Sequence, residues 1–168
     1  GSAPLQERLI RVFTAAGMTI FEGYGLTESS PAGTLNELKN KGFRVGTVGK
    51  PLENVEVKIA EDGEILIKGK NVMLGYYKNP EMTNETIRNG YLHTGDIGII
   101  DAEGFLKITD RKKEIFKTSG GKYIAPAALE SEFKQSRFIE QIMVIGESEK
   151  MPAALIQPNF EFIQKWAK

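Results

Sequence analysis

The sequence predicts an α+β fold, in which a small, mostly antiparallel β-barrel or sandwich is followed by a mixed α+β segment. Short strand patterns joined by turn-forming residues occupy positions 39–109, as in small barrels and sandwiches. Helical apolar spacing occurs near both ends, at 4–16 and from 159 onward. The charged run Asp-Arg-Lys-Lys at 110–113 separates the strand-rich part from a mixed segment, which predicts a linker or hinge.

The first segment predicts one helix and one short strand. Apolar residues recur at intervals of one helical turn from Pro4 to Ala16, and a proline suits the first turn of a helix. Gly17 is a typical helix stop. The apolar run Met18–Phe21 then predicts a short buried strand.

Hairpins and one capped helix are predicted for the middle of the chain. The stretch VEVKIAEDGEILIKG alternates on both sides of Glu61-Asp62-Gly63, which is a hairpin pattern. In NPEMTNETIRNG, Asn79 predicts a helix cap and Pro80 the first helical position. Two further strands are predicted on either side of the turn at 101–104.

Helix and strand patterns alternate after the charged run. A strand is followed by a turn at Gly120-Gly121 and by a helix from Pro126 to about Ser136. The stretch EQIMVIGESEKMPAALIQP predicts a hairpin. A last helix is predicted with Asn159 as its cap.

Composition excludes several classes of partner and site. The 168 residues carry 22 Lys and Arg against 22 Asp and Glu, which does not favour a nucleic acid or an anionic membrane as the main partner. There is no Cys, so disulfides and thiolate metal sites are excluded. The absence of Cys is consistent with a location in the reducing cytoplasm. The chain begins Gly-Ser and stops inside a helical pattern, which predicts a piece of a longer protein; a cloning remnant before an ordinary terminal helix is the alternative.

The stretch EGYGLTESSP predicts a ligand-holding loop. Glycines on both sides of Tyr24 let the backbone approach a flat ligand, and the ring offers a stacking face. The Thr27 hydroxyl can donate to a phosphate oxygen. Glu28 suits such a place if a Mg²⁺ ion lies between its carboxylate and the phosphates. The alternative is an ordinary turn with a solvated glutamate.

Asp96, in YLHTGDIG, is a second candidate. A carboxylate at the edge of a strand can bind the two hydroxyl groups of a ribose. The alternative is an Asx-type turn. His93 is the only histidine, and no chemistry is assigned to it.

The third candidate segment is DRKKEIFKTSGGKYIAP. Arg111 offers a planar fork for ribose or phosphate oxygens, and Lys113 and Lys117 lie in the same short segment. By spacing alone, a charge run of this kind is an ordinary solvated surface. The GGK at 120–122 lacks the spacing of a phosphate-binding P-loop.

Taken together, these stretches resemble the AMP-forming adenylating enzymes, and most closely the long-chain fatty-acid–CoA ligases. The resemblance rests on GSAPLQERL, GYGLTESSP, GEILIKGKNVMLGYYKNPEMT, GYLHTGDIG and ITDRKKEIFKTSGGKYIAP, which follow one another in the family's order. It covers essentially the whole chain. The resemblance implies that ATP and a fatty acid give an acyl-adenylate and pyrophosphate, after which a mobile C-terminal domain rotates and coenzyme A takes the acyl group.

The resemblance also implies a domain organisation. Residues 1–38 would be the end of an N-terminal α/β subdomain, and residues 39–109 its β-barrel subdomain. Residues 110–113 would form the hinge, and residues 114–168 an incomplete C-terminal α+β domain. The first helix and strand would then expose apolar faces, so that self-association or poor order before Gly25 is expected.

Residue roles follow from the same resemblance. Tyr24 matches the adenine-stacking aromatic residue, with Gly25 beside it in the nucleotide site. Thr27 matches the phosphate-binding hydroxyl, and Glu28 the carboxylate associated with Mg²⁺. Asp96 matches the ribose-binding carboxylate.

Four further positions match the family's functional segments. Arg111 matches the residue that supports the ribose contact, and Ile108 the one that packs beside the nucleoside. Lys113 matches the hinge, and Lys117 a lysine that faces the site during thioester formation. The backbone of Gly1 to Pro4 resembles the segment that lines the adenine and acyl pockets.

The chain also departs from the family pattern. It contains no Ser/Thr/Gly-rich phosphate loop, it stops before the C-terminal catalytic lysine, and it lacks most of the acyl tunnel. The 168-residue chain is therefore predicted to be inactive. Two alternatives remain: an adenylation domain that loads a carrier protein, and a standalone nucleotide-binding or interaction module. The expected partners are ATP, fatty acid and CoA, with no nucleic acid and at most peripheral membrane contact, in the cytoplasm.

Overall fold

The computed structural model describes residues 5–38, 42–112 and 114–167. The chain divides into two compact units, Gly1–Ile108 and Thr109–Lys168. The described residues form four α-helices: Glu7–Ala15 (α1), Pro80–Thr86 (α2), Pro126–Phe133 (α3) and Phe160–Trp166 (α4). Helices and antiparallel sheets occur together in both units, which confirms the α+β prediction.

The strands between Gly23 and Arg111 form a three-stranded and a five-stranded sheet, and all of their residues except Thr109–Arg111 lie in the first unit. The three-stranded sheet has the order β1-β2-β3 and consists of Gly23–Tyr24 (β1), Thr34–Leu35 (β2) and Lys50–Pro51 (β3). The five-stranded sheet has the order β4-β5-β7-β6, and β8 also pairs with β7. Its strands are Val55–Ile59 (β4), Glu64–Gly69 (β5), Ile87–Arg88 (β6), Tyr91–Ile100 (β7) and Leu106–Arg111 (β8).

The predicted β-barrel is not confirmed. Within the described ranges the strands form separate open sheets, and β4 pairs with β5 alone. Closing a barrel requires each edge strand to bond to another edge. The strands β1, β2, β3 and β6 are two residues long, so their hydrogen-bonding edges are too short to join the two sheets into one closed surface.

Helix α1 ends as predicted, but the strand predicted after it is absent. The Gly17 N–H donates to the Thr14 carbonyl and the Met18 N–H to the Phe13 carbonyl, while Gly17 has φ +82°. These two bonds form a Schellman cap. Met18–Phe21 has no strand hydrogen bonding, and the first strand lies at Gly23–Tyr24 instead. The apolar run was misread because its residues leave the helix cap without reaching a sheet partner.

The hairpin predicted around residues 61–63 is confirmed. Strands β4 and β5 pair from Val55↔Gly69 to Ile59↔Ile65. A buried cluster lies beside them, formed by Tyr24, Ile65, Ile67, Leu92 and Leu106. The β5 side chains in this cluster are fully buried, so the hairpin contributes part of the first unit's hydrophobic core.

The second unit contains two short hairpins and two helices. Strands Phe116–Lys117 (β9) and Tyr123–Ile124 (β10) pair around the Gly120-Gly121 turn, and Ile139–Ile145 (β11) pairs with Ala153–Pro158 (β12). Asn159 caps α4 through its side-chain oxygen, which accepts from the Phe162 N–H at 3.0 Å. Among the residues described, none belongs to a helix long and apolar enough to cross a membrane.

Candidate functional site

The loop from Gly25 to Ala32 folds tightly back on itself. A Cβ atom on Gly25 would lie 1.7 Å from the Pro31 carbonyl oxygen, so this position excludes every side chain. Thr27–Ser29 forms a single 3-10 turn. The buried Ser29 hydroxyl accepts from the Leu26 N–H at 2.9 Å, so the turn that carries Thr27 and Glu28 is held from inside.

Residues 71–73 hold the same loop from outside. The Asn71 side-chain amide donates to the carbonyls of Ser29 at 3.2 Å and Ala32 at 3.0 Å. The Met73 N–H donates to the Glu28 carbonyl at 2.8 Å. Loop carbonyls that would otherwise need water are therefore satisfied by protein donors, which fixes the loop's shape.

Glu28 and Thr27 present their side chains differently. Thr27 is exposed, whereas Glu28 is half-buried and its Oε1 accepts from the Tyr76 hydroxyl at 2.8 Å. Burial and the Glu28 carboxylate both raise the pKa of Tyr76, so the phenol remains a proton donor at neutral pH. Tyr76 thus orients the carboxylate for which the sequence predicts a metal role.

The structure brings Tyr24 and Asp96 together. The Tyr24 hydroxyl donates to Asp96 Oδ2 at 2.6 Å, across 72 positions of sequence. Both side chains are buried, at 9% and 5% exposure. Tyr24, which directly precedes the loop from Gly25 to Ala32, is therefore bonded to the strand that carries the predicted ribose-binding carboxylate.

The other predicted site residues divide between the two units. Ile108 packs against the core cluster that contains Tyr24. Arg111 and Lys117 are exposed residues of the second unit, and Lys117 Nζ lies 5.3 Å from the centre of the Tyr123 ring. Lys113 and Gly1–Pro4 lie outside the described residues. The roles assigned to all these positions remain predictions.

Several residues of this region were missed by the sequence analysis. Tyr76 lies in the GYYKNP part of a block that resembles the ligases, but no role was assigned to it. Asn71 and Glu64 lie in the same block, but they were given no role because a polar residue beside a turn or a lysine is a common surface pattern. Only their contacts with the loop and with β7 distinguish them.

Glu28 fits a Mg²⁺ site of the substrate-bridged kind. Within the described part of the chain, no three His, Cys, Asp or Glu side chains are grouped as a metal site. Magnesium is commonly bound by one or two carboxylates together with substrate phosphates. A half-buried carboxylate that is oriented by Tyr76 and follows an exposed hydroxyl in the chain meets that description.

Comparison with known families identifies the chain. Residues 1–77 match the family described as AMP-binding enzyme, and residues 113–167 match the AMP-binding enzyme C-terminal domain. The chain belongs to the AMP-binding enzyme family. The two matches together cover the Tyr24–Glu28 loop, Tyr76 and Lys117.

Relatives of this AMP-binding chain are long-chain fatty-acid–CoA ligases. It is 42% identical over 166 residues to the long-chain-fatty-acid–CoA ligase FadD15 of Mycobacterium bovis, covering 99% of the chain and 27% of that ligase. It is 40% identical over 185 residues to long chain acyl-CoA synthetase 1 of Arabidopsis thaliana, covering 100% of the chain and 28% of that enzyme. The chain thus spans little more than a quarter of these curated relatives.

A solved structure supports the assignment to the AMP-binding enzyme family. The o-succinylbenzoate coenzyme A synthetase of Bacillus subtilis, in complex with ATP and a magnesium ion, matches with a TM-score of 0.82 and 31% identity. The match covers 95% of this chain and 36% of that one. The AMP-binding chain therefore shares both sequence and fold with an adenylating ligase.

Proposed function

We propose that this chain is part of an ATP-dependent ligase that activates a long-chain fatty acid as acyl-AMP and transfers it to coenzyme A. The observation that carries the proposal is the hydrogen bond between Tyr24 and Asp96. This bond supports the proposal because Tyr24 directly precedes the segment that carries Thr27 and Glu28, and a single nucleotide site requires that segment to lie near the carboxylate predicted to bind ribose. The ligase relatives at 42% and 40% identity support the acid and the acceptor.

In the proposed first step, a carboxylate oxygen of the fatty acid attacks the α-phosphorus of ATP and pyrophosphate leaves. Asp96 would hold the ribose, while Tyr24 and Ile108 would contact the nucleoside. The Thr27 hydroxyl would donate to a phosphate oxygen, and Glu28 would hold Mg²⁺, which neutralises phosphate charge. Transfers of this type depend mainly on positioning and electrostatics.

In the proposed second step, the thiol of coenzyme A attacks the acyl carbonyl and AMP leaves. Lys117 and Arg111 belong to the unit Thr109–Lys168, the part expected to rearrange between the two steps, with Lys113 as the hinge. One pocket would then serve two reactions by exchanging the groups that face it.

The proposal is tested with the complete ligase, purified and assayed for pyrophosphate release and thioester formation with a panel of fatty acids. We expect acyl-CoA formation that depends on ATP and Mg²⁺. Asp96→Asn should raise KM for ATP by about tenfold or more, the cost of a charged hydrogen bond. Asp62→Asn is the matched control, because asparagine keeps an acceptor for the Glu64 N–H that Asp62 binds at 3.1 Å.

The acceptor can be checked in the same experiment. Pyrophosphate release without thioester formation, together with acylation of a carrier protein, would favour the carrier-loading alternative. A complete protein that binds nucleotide but releases no pyrophosphate with any acid would favour the standalone binding module. Thioester formation by the isolated 168-residue chain would contradict its predicted inactivity.

We further propose that the isolated chain self-associates through α1 and the segment after it. The exposed apolar side chains there are Leu9, Val12, Phe13, Met18 and Phe21. Sedimentation velocity should show concentration-dependent dimers that Val12→Glu weakens, while Thr14→Glu, which adds the same single charge at an exposed position of the same helix, serves as the control. A cytoplasmic location is also proposed, because a chain without cysteine suits a reducing compartment.

A further inference from the structure

Strand β7 contains a bulge at residues 94–96, which includes Asp96. Its residues His93 and Ile97 pair with Leu66 and Glu64 of β5, so three residues of β7 oppose the single residue Ile65. Gly95 has φ +74°, a backbone conformation that glycine adopts without strain. Bulges redirect side chains and are frequent beside active sites, and here the redirected residue is Asp96.

Two side chains bind the irregular backbone of the bulge. Glu64 Oε1 accepts from the Gly95 N–H at 2.9 Å. The Thr94 hydroxyl donates to the Ile65 carbonyl at 2.7 Å and accepts from the Asp96 N–H at 3.1 Å. Backbone groups that lost their regular strand partners are thus bound by side chains, and they lie directly before and at the nucleotide-site carboxylate.

Glu64 is unusual because it is an acidic residue that is only 4% exposed. A buried carboxylate is costly unless hydrogen bonds and charge compensate it. Its Oε2 lies 3.1 Å from His93 Nδ1, which is also 2.8 Å from Arg88 Nη2. One oxygen therefore accepts from the bulge, while the other contacts a histidine whose ring nitrogen also contacts an arginine.

We propose that Glu64 is a positioning residue for Asp96, an inference that rests on the proposed function. Its carboxylate holds the Gly95 N–H, fixes the bulge of β7 and thereby keeps Asp96 in the position where it binds Tyr24 and the ribose. Thr94 holds the other end of the same bulge. Glu64 does not touch the nucleotide; it acts through the backbone of Gly95 and Asp96.

The experiment compares four variants in the complete ligase, with KM for ATP, KM for the fatty acid and kcat measured separately. Glu64→Met keeps the length of the side chain but removes the acceptor, whereas Glu64→Gln keeps an acceptor for Gly95. Thr94→Val removes the hydroxyl at the other end of the bulge. Glu61→Gln makes the same chemical change as Glu64→Gln at an exposed hairpin position and serves as the control.

The positioning role predicts a selective effect on the nucleotide. Glu64→Met, which removes one hydrogen bond to a charged acceptor, and Thr94→Val, which removes two neutral ones, should each raise KM for ATP about tenfold, with little change in KM for the acid. Glu64→Gln should stay within about threefold of wild type and Glu61→Gln should match it. In the 168-residue chain, amide exchange measured by NMR should be faster at Gly95 in Glu64→Met.

Three results would overturn the inference. They are an unchanged KM for ATP in a folded Glu64→Met or Thr94→Val ligase, an equal loss for both substrates, or a Glu64→Gln variant as impaired as Glu64→Met. If Glu64→Met does not fold, Thr94→Val and Glu64→Gln still decide the question. A wild-type ligase without ATP-dependent turnover would instead refute the proposed function, which separates the two failures.

Discussion

At the scale of single residues, Tyr24 links two segments that are distant in sequence. Its hydroxyl donates to Asp96 Oδ2 at 2.6 Å, while its ring belongs to the cluster that contains Ile65 and Leu92. A motif such as GYGLTE is usually interpreted through what its side chains offer to a ligand. In this chain the tyrosine ring packs in the core and its hydroxyl donates to Asp96. Loss of the whole side chain would therefore affect both the core and the carboxylate.

Tyr76→Phe provides a prediction for the metal-associated carboxylate. The change removes the hydroxyl that donates to Glu28 Oε1 at 2.8 Å and leaves the ring in place. We expect the Mg²⁺ concentration for half-maximal turnover to rise about tenfold, equivalent to about 1.4 kcal/mol. A Mg²⁺ titration of the complete ligase measures this effect.

The neighbouring tyrosine is the control for that titration. Tyr77 is 88% exposed, so Tyr77→Phe removes a hydroxyl of the same kind from the adjacent position. Its Mg²⁺ dependence should match the wild type. Equal shifts in the two variants would show that orientation of Glu28 is not the cause.

Asp110 provides a pH-dependent prediction for the second unit. The side chain is 5% exposed, and its Oδ2 has no hydrogen-bond partner among the described residues. Burial, followed by the charges of Glu114 and Glu130, raises the pKa of Asp110 above its ordinary 3.8, although the Arg111 N–H opposes the shift. The folded state therefore holds this proton more tightly than the unfolded state does.

The raised pKa of Asp110 determines how the stability of the second unit changes with pH. The unfavourable ionisation is absent below the unfolded pKa, grows as pH rises through the folded pKa and is complete above it. Stability of the second unit should therefore fall less steeply with rising pH in Asp110→Asn than in wild type. Urea unfolding followed by Trp166 fluorescence across acidic and neutral pH measures this, with the exposed Glu140→Gln as control; parallel pH profiles for wild type and Asp110→Asn would contradict it.

At the scale of secondary-structure elements, the confirmed predictions are those with local causes. The Asn79 side chain accepts from the Met82 N–H at 3.1 Å, as its cap position predicts. Strands β7 and β8 flank the predicted turn, where Asp101 Oδ1 accepts from the N–H groups of Glu103 and Phe105. Caps and turns involve residues a few positions apart, so the sequence contains all the information they require.

Strand β7 also provides a test of where the core lies. Leu92 is fully buried in the core cluster, whereas Ile99 on the same strand is 56% exposed. Leu92→Ala should lower the free energy of unfolding of the first unit by about 2–5 kcal/mol because it leaves a cavity. Ile99→Ala should cost less than about 1 kcal/mol. Urea unfolding monitored by far-UV circular dichroism compares them, and similar losses would refute this description of the core.

At the scale of the whole molecule, the two units differ in how many of their hydrophobic side chains are buried. Among the described residues, the largest fully buried side chains all lie in Gly1–Ile108. In the described part of Thr109–Lys168, only Ile142 and Val144 are buried hydrophobic residues. Domains of about 60 residues bury only about 60% of their unfolded surface and are marginally stable. The second unit is therefore the less stable one.

Stepwise unfolding is the expected consequence. The sequence contains one tryptophan, Trp166, which packs edge-on against Phe138 with ring centres 5.4 Å apart and so reports on the second unit. The fluorescence of Trp166 should change at a lower urea concentration than the one at which β5 and β7 lose their protection from amide exchange. Coincident transitions would instead indicate one cooperative unit.

The sequence by itself determined the α+β class, most helix and hairpin positions and the resemblance to adenylating ligases. Those features rest on periodicity, on capping residues and on motifs a few residues long, all of which act over short distances along the chain. The prediction of a strand at Met18–Phe21 was wrong, because an apolar run does not reveal whether a sheet partner is within reach.

Only the tertiary structure decided which distant residues meet. The contacts of Tyr24 with Asp96, of Tyr76 with Glu28 and of Glu64 with Gly95 join positions 31 to 72 residues apart. The open sheets in place of a closed barrel were decided in the same way. Each depends on how strands pair and pack, and pairing at such separations leaves no periodic trace in the sequence of either partner.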